Sequence, residues 1–217
     1  EAIIRRTDDA VARIAGTGFR TTPFARNDAL SKELGFTSGG GVWIKDETNN
    51  VAGSHKARHL FGELLHLVVA QEAGVAPWKR DADRPQLAIS SCGNAAFAAA
   101  TLAKAVNWPI LVFVPENAAS ELTNLLLSVD ATIVRCPRLA SDLPGDPCVH
   151  RFREAVAKGA IPFGVQGTEN AWCLDGGRTI GWEIAEAQEH VSGPPLDRIF
   201  IQVGGGAFAA CASAGLF

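Results

Sequence analysis

The sequence contains no methionine, and no apolar run in it is long enough to cross a bilayer. A membrane-spanning helix needs about 20 apolar residues, whereas the run ILVFV covers 110–114. The first residues, EAIIRRTDDA, lack the charged segment and apolar core of a signal peptide. We therefore expect a cytoplasmic protein with no membrane partner. Because position 1 is not methionine and the chain stops at AGLF, we also expect a piece of a longer protein.

Paired cysteines and a basic surface are missing too. The five cysteines are scattered and form no CxxC pair, which excludes a disulfide framework and a zinc knuckle. Lys and Arg total 20 against 23 Asp and Glu, and the formal net charge is −3. This balance provides no positive field for a polyanion, so we expect no nucleic acid partner. His55 and His59 lie four apart, but no third ligand matches them, so no metal site is predicted and His59 is expected on a helix surface.

What the sequence does contain is an alternation of short apolar strands and helices. Strands spaced in this way, with helices between them, are typical of an α/β fold whose parallel sheet is covered on both faces. The predicted strands are GVWIKDE (41–47), LAIS (87–90), ILVFV (110–114), ATIVR (131–135) and IFIQV (199–203). The predicted helices cover about 1–15, 57–71, 94–106, 118–128, 150–159 and 175–190, with another starting after the GGG at 204–206.

Lys56 stands in the first turn of a predicted helix, in the stretch SHKARHL at 54–60. Ser54 is a good N-cap, which puts the lysine where aligned backbone N–H groups disfavour a cation. A helix N-terminus and burial in a cleft both favour the uncharged amine. An uncharged lysine can attack a carbonyl, so this position suits a Schiff base with an aldehyde such as pyridoxal phosphate.

Two further junctions between a strand and a helix carry small residues. In SSCGNAA (90–96) the exposed backbone N–H groups could receive a carboxylate or phosphate, or the segment could be a tight turn capped by Asn94. In QVGGGAFAAC (202–211) three consecutive glycines favour anion binding. Gly204, Gly206 and Ala209 also match a dinucleotide fingerprint, but this match comes last in the chain rather than in a first βαβ unit.

Taken together, KDETNNVAGSHKAR, SSCGN and VGGGAF resemble the motifs of the fold type II pyridoxal-phosphate enzymes. That group includes serine and threonine dehydratases, threonine synthase, cysteine synthase and the tryptophan synthase β chain. The motifs follow the family's order, and TTPF, VPENA and RTIGWEIAE are weaker similarities, so the resemblance covers nearly the whole chain.

The resemblance implies a role for each matching residue. Lys56 would form the Schiff base with the cofactor and act as the acid and base, and Asn94 would bind the cofactor's 3-hydroxyl. Ser91, Cys92 and Gly93 would line the substrate carboxylate site together with Asn94. The cofactor phosphate would lie on Gly204, Gly205, Gly206, Ala207 and Phe208. Ala207 replaces the family's fourth glycine, which should matter little if its φ stays negative.

The family also implies two three-layer α/β/α domains with mostly parallel sheets and a cofactor cleft between them. Residues 1–55 and 150–217 would belong to the large cofactor-binding domain, whose C-terminal part would be missing, and 56–149 to a smaller inserted domain. A homodimer is implied by the same analogy.

The leading functional hypothesis is a pyridoxal-phosphate lyase that dehydrates or deaminates a small amino acid such as serine or threonine. His55 replaces the family's usual phenylalanine, Cys92 stands where serine or threonine is common and Ala95 where histidine or threonine is common, so the substrate stays open. The alternatives are a synthase performing β- or γ-replacement, similar to threonine or cysteine synthase, and a non-catalytic phosphate- or nucleotide-binding module.

Overall fold

The computed structural model describes residues 1–37, 40–190 and 195–216. The helices are α1 (Ala2–Ala15), α2 (Asp28–Glu33), α3 (Lys56–Glu72), α4 (Asn94–Ala105), α5 (Ser120–Ser128), α6 (Pro147–Ala157), α7 (Cys173–His190) and α8 (Ala207–Ala214). The strands are β1 (Phe24–Asn27), β2 (Val42–Lys45), β3 (Leu87–Ser90), β4 (Ile110–Pro115), β5 (Thr132–Cys136) and β6 (Ile161–Pro162). Short 3₁₀ turns lie at Val51–Gly53 and Asp81–Asp83. Within the described ranges, no helix is both long and apolar enough to span a membrane.

The main sheet is parallel and has the strand order β5-β4-β3-β6. The larger apolar core, with Leu60, Leu64 and Leu102 fully buried, includes residues of α3 and α4. A smaller cluster joins Phe113 of β4 to Phe152 of α6. Since a parallel sheet is stable when helices bury both of its faces, this arrangement confirms the predicted α/β class and parallel sheet.

A second, antiparallel sheet consists of β1 and β2, with Phe24 opposite Lys45 and Asn27 opposite Val42. Helix α2 lies between these strands and is capped by the Asn27 side chain, which accepts the backbone N–H of Leu30. The sequence pattern did not predict β1 or α2. Their effect is to bring the TTPF segment beside the end of β2, where the KDE residues begin.

The predicted strand at 199–203 is wrong in this structure, because the segment forms no strand. Its β-branched and aromatic residues favour a strand, but a strand also needs a neighbour to share its backbone hydrogen bonds. Among the described residues the segment has no such neighbour, and Phe200 is 92% exposed.

Two boundaries also differ from the sequence reading. Strand β6, at 161–162, pairs with β3, so the main sheet extends past residue 149, the predicted end of the inserted domain. The division into domains itself stays a prediction.

Helix α6 begins at Pro147 rather than near 150. Asp146 caps the helix by accepting the Cys148 N–H at 2.8 Å, and proline suits a first helical turn.

Helices α3, α7 and α8 pack so closely that their backbones meet at glycines. A Cβ atom added to Gly176 of α7 would lie 1.9 Å from the Arg58 carbonyl oxygen of α3. One added to Gly181 of α7 would lie 2.4 Å from the carbonyl oxygen of Ala212 in α8. Such approaches require glycine, and they hold α7 against the first turns of α3 and against the C-terminal part of α8.

Candidate active site

Lys56 is the first residue of α3 and is half-buried. Its backbone N–H donates to the Ser54 hydroxyl at 3.3 Å, and the Arg58 N–H donates to the His55 carbonyl at 3.0 Å. Ser54 has extended backbone angles and is 8% exposed. The serine therefore satisfies one of the N–H groups that a helix start leaves open, but His55 holds the N-cap position of α3, so the predicted cap at Ser54 is one residue too early.

A buried ion cluster lies two residues further along α3 and joins four of the motif segments. Arg58 is 6% exposed and donates to Glu47 at 2.9 Å and to Glu183 at 2.6 Å. It also donates to the hydroxyls of Thr179 at 3.0 Å and Thr22 at 3.1 Å. The cluster thus links the TTPF, KDE, SHKAR and RTIGWEIAE segments and fixes the start of α3 against β2 and α7.

The cluster contains two carboxylates and two cations, because Lys45 also pairs with Glu183. Burial raises the pKa of Glu47, but hydrogen bonds from Arg58 and Thr22 outweigh it and hold that pKa below its usual value. Burial likewise opposes ionisation of Glu183, whose pKa is nevertheless lowered by Arg58 and Lys45. Both carboxylates are therefore charged at neutral pH, and each is paired, which is what a buried charge requires.

The glycine loop, Gly204–Gly206, which we call the glycine cradle, precedes α8. Gly206 is the N-cap residue and has φ +88, a conformation that favours glycine. A Cβ atom on Gly205 would lie 2.6 Å from the Gln166 side-chain oxygen. Ala207, the first residue of α8, has no positive φ, as the resemblance required. The open N–H groups of this first turn, with the helix dipole, suit a phosphate.

An aromatic stack connects the lysine helix to the glycine loop. The rings of His55, which precedes Lys56, and Phe208, which follows the loop, stack with centroids 4.1 Å apart. Burial first, and then the neighbouring His59 and Lys56, lower the pKa of His55 to about 4. The imidazole is therefore neutral at pH 7. The stack brings two of the three sequence motifs together, the lysine segment and the glycine loop.

The third motif lies at the end of β3. Ser91 is half-buried, whereas Cys92, Gly93 and Asn94 are exposed. Gly93 rather than Asn94 holds the N-cap position of α4 and no side chain caps the helix, so the reading of Asn94 as a cap is wrong. Helix α4 packs against both α3 and the turn at Val51–Gly53 that precedes Lys56. The loop and the lysine are thus carried by neighbouring elements, and the predicted substrate contacts stay predictions.

The geometry describes an α/β protein with a lysine and a glycine-rich loop at adjoining helix starts. A family model described as "Pyridoxal-phosphate dependent enzyme" matches residues 16–216. The chain therefore belongs to the pyridoxal-phosphate dependent enzyme family, as its motifs predicted. No curated protein sequence matches the chain.

Several solved structures share the fold. Maize serine racemase is 19% identical with a TM-score of 0.69, and the match covers 98% of this chain and 56% of that one. Diaminopropionate ammonia lyase from Escherichia coli, in its apo form, is 19% identical with a TM-score of 0.70, covering 99% and 60%. Threonine deaminase isoform 2 from Solanum lycopersicum is 19% identical with a TM-score of 0.67, covering 100% and 52%. The chain thus spans little more than half the length of these relatives.

Pyridoxal phosphate, the family's cofactor, fits the residues present. Its phosphate matches the glycine cradle, in which Gly206 needs a positive φ and a side chain at Gly205 would meet Gln166. Its aldehyde requires a lysine amine, and Lys56 is joined to the cradle by the His55–Phe208 stack. The individual roles of Lys56, Asn94 and residues 204–208 stay predictions.

The sequence reading missed the buried Arg58 cluster and two features beside the glycine loop and α8. Gln166, in the loop between β6 and α7, reaches Gly205, and no local pattern marks such a tertiary contact. His59, expected on a helix surface, is in fact 1% exposed and lies between α3, α7 and α8. The four-residue spacing from His55 could have indicated a shared buried face, because residues four apart lie on one side of a helix.

Proposed function

We propose that this chain forms part of a pyridoxal-phosphate lyase that eliminates a group from the β-carbon of a small amino acid such as serine or threonine. The observation that carries the proposal is the 4.1 Å stack of His55 on Phe208, which holds the Lys56 helix against the glycine cradle. An amine and an anion site in that relation suit a cofactor that carries an aldehyde and a phosphate.

When bound, pyridoxal phosphate supplies an electron-accepting ring that stabilises a carbanion at the substrate α-carbon. Lys56 would hold the cofactor's carbonyl carbon until the substrate's amino group replaces it there. Its freed Nζ would then accept the α-proton and return it to the leaving group. The phosphate would lie on Gly204, Gly205, Gly206, Ala207 and Phe208. Asn94 would bind the cofactor's 3-hydroxyl, and with Ser91, Cys92 and Gly93 it would receive the substrate carboxylate at the start of α4.

The first experiment tests the attachment point on the full-length protein. After incubation with pyridoxal phosphate and reduction with borohydride, peptide mass spectrometry should find the cofactor on Lys56. Lys56→Ala should abolish the modification, whereas Lys158→Ala, which changes an exposed lysine beyond α6, should leave it intact. Modification at other lysines alone would refute the proposal and favour the non-catalytic phosphate-binding module.

A second experiment tests the reaction. Single amino acids are added to the loaded protein, and 2-oxo acid and ammonia are measured. Their joint release from serine or threonine supports the lyase. Release only when a second nucleophile is present would instead favour a β- or γ-replacement synthase.

A racemase is a further candidate, because maize serine racemase shares the fold and racemisation also begins with removal of the α-proton. Chiral analysis of recovered serine separates the two activities. A cytoplasmic location and a homodimer are also proposals, and the dimer rests on the family analogy alone.

A further inference from the structure

His59 lies at the point where the three helices of the site meet. It is 1% exposed, and its Nδ1 lies 2.9 Å from the Cys173 carbonyl oxygen. Since a carbonyl only accepts, Nδ1 carries the proton and donates. The ring thereby links α3 to the first residue of α7.

The other ring nitrogen of His59 faces α8. Its Nε2 lies 4.0 Å from the Cys211 sulfur, and that thiol donates to the Phe208 carbonyl oxygen at 3.3 Å. The rings of His59 and Phe208 also meet edge to face, with centroids 6.3 Å apart. We call His55, His59, Phe208 and Cys211 the Phe208 joint.

The packing leaves this joint little freedom. A Cβ atom on Gly177 of α7 would lie 2.4 Å from His59 Cε1 and 2.3 Å from the Cys211 sulfur. Phe208 therefore has the stacked ring of His55 on one side and the edge of His59 on another, while Gly177 supports both His59 and Cys211. Close-packed interiors transmit small displacements rather than absorb them, so a change at His59 is passed to Phe208.

We propose that His59 is a positioning residue that sets the separation between Lys56 and the glycine loop by holding Phe208 through a neutral, Nδ1-protonated ring. This proposal rests on the proposed function, since it concerns the same lysine and phosphate cradle. His59 itself needs no contact with cofactor or substrate. It acts because it belongs to α3, which carries Lys56, and contacts Phe208 and Cys211 of α8, which follows the glycine loop.

Burial favours this neutral state. Desolvation is the largest influence on His59 and lowers its pKa, and the bond to Cys173 opposes that change without reversing it. At pH 7 the ring is therefore neutral, with one proton for the Cys173 carbonyl and a lone pair on the side of Cys211.

The first test needs no cofactor. Nitrogen-15 NMR of the full-length protein labelled at histidine should show His59 as the neutral tautomer with its proton on Nδ1. The assignment comes from the peak lost in His59→Asn. A proton on Nε2, or a doubly protonated ring at pH 7, would contradict the proposed role of His59, whether or not the protein binds pyridoxal phosphate.

The second test measures the pyridoxal phosphate dissociation constant from the spectral change on binding. The amide nitrogen of asparagine can take the place of Nδ1, and that of glutamine the place of Nε2. His59→Gln should therefore bind at least about tenfold more weakly than the wild type. His59→Asn should lie between the two, because it keeps the bond to Cys173, worth about 1.4 kcal/mol, but loses the ring edge that meets Phe208. Equal affinities in the two variants would overturn the proposal.

A double-mutant cycle separates positioning from a general loss of stability. In a Phe208→Leu background, His59→Gln should have less than about a threefold further effect, because contacting residues are coupled and the contact is already lost. A full tenfold effect in that background would show that His59 does not act through Phe208. If the wild type binds no cofactor covalently, the proposed function fails while the NMR test of the joint still stands.

Discussion

At the residue scale, Glu63 is an acidic side chain that lies in the apolar interior of the protein. It is 0% exposed, and neither carboxyl oxygen has a hydrogen-bond partner among the described residues. Burial raises its pKa well above the usual value; the backbone N–H of Gly164 opposes this rise but does not reach hydrogen-bond geometry. Burial therefore favours the protonated form of Glu63 in the folded protein, on the same helix as Lys56.

This burial predicts a stabilising substitution. In the unfolded chain Glu63 ionises above its ordinary pKa of 4.5, while the folded protein keeps it neutral to a higher pH. Folding stability is thus lost as pH rises from about 4.5 towards the raised pKa. Glu63→Gln should remove this loss and raise the free energy of unfolding at pH 8, by up to about 1.4 kcal/mol for each pH unit over which only the folded protein holds the proton.

Urea unfolding at pH 5 and pH 8 measures the effect of Glu63→Gln. The difference between variant and wild type should be larger at pH 8. Glu154→Gln, which changes an exposed residue of α6, serves as the control and should alter neither value. A variant less stable than the wild type at both pH values would show that the carboxyl has a partner.

At the element scale, the site depends on how closely α7 approaches α3 and α8. Gly176 faces the Arg58 carbonyl and Gly62 of α3, and Gly181 faces α8 near Ala212 and Gly215. These contacts are between backbones, so they cannot be relieved by rotating a side chain. The sequence contains GG at 176–177, but nothing local shows that another helix passes there.

Gly176→Ala should therefore separate α7 from α3. The added Cβ would lie 1.9 Å from the Arg58 carbonyl oxygen, and moving the helices would also disturb the Arg58 pairs with Glu47 and Glu183. We expect a loss of at least about 3 kcal/mol in the free energy of unfolding, in the range for overpacking combined with a strained buried ion pair. Cofactor affinity should fall as well.

Chemical unfolding of Gly176→Ala beside Gly164→Ala measures this loss. A Cβ on Gly164 would meet Ile89 side-chain atoms at 3.8 and 4.0 Å, which is ordinary contact, so the control should stay within about 1 kcal/mol of the wild type. Similar stabilities for the two variants would mean that the helices are farther apart than described.

At the scale of the whole molecule, residues that build the site contribute to the pH dependence of stability on the acid side. Burial first, then His59 and Lys56, lower the folded pKa of His55 to about 4 from an ordinary value of 6.5. The unfolded chain therefore takes up this proton before the folded protein does, and stability falls as pH drops from 6.5 to about 4. Below about 4.5, protonation of Glu47 and Glu183 adds a second loss.

His55→Asn should flatten the first part of this profile. We expect the slope between pH 6.5 and 4.5 to decrease by up to about 1.4 kcal/mol per pH unit, the contribution of one proton. Denaturation midpoints taken every half pH unit give the slope. His190→Asn, at the exposed end of α7, is the matched control, and an equal change of slope in both variants would contradict the role of His55.

The sequence determined the local features of this protein. Strand β3 at 87–90 and the starts of α3 and α4 follow from apolar spacing and from small residues at the turns, which act over a few positions. The motifs around Lys56, Asn94 and Gly204 identified the family, because each motif is a short stretch of sequence that can be recognised without its tertiary partners.

Tertiary structure decided what depends on distant partners. The segment 199–203 has the composition of a strand but, in the part of the chain that the structure describes, no strand beside it. Strand β6 is two residues long yet extends the sheet because β3 pairs with it. His59 and Glu63 are polar in the sequence and buried in the fold, where α7 and the loop after β6 cover them. Burial and pairing arise between segments far apart in the chain, so no local pattern could specify them.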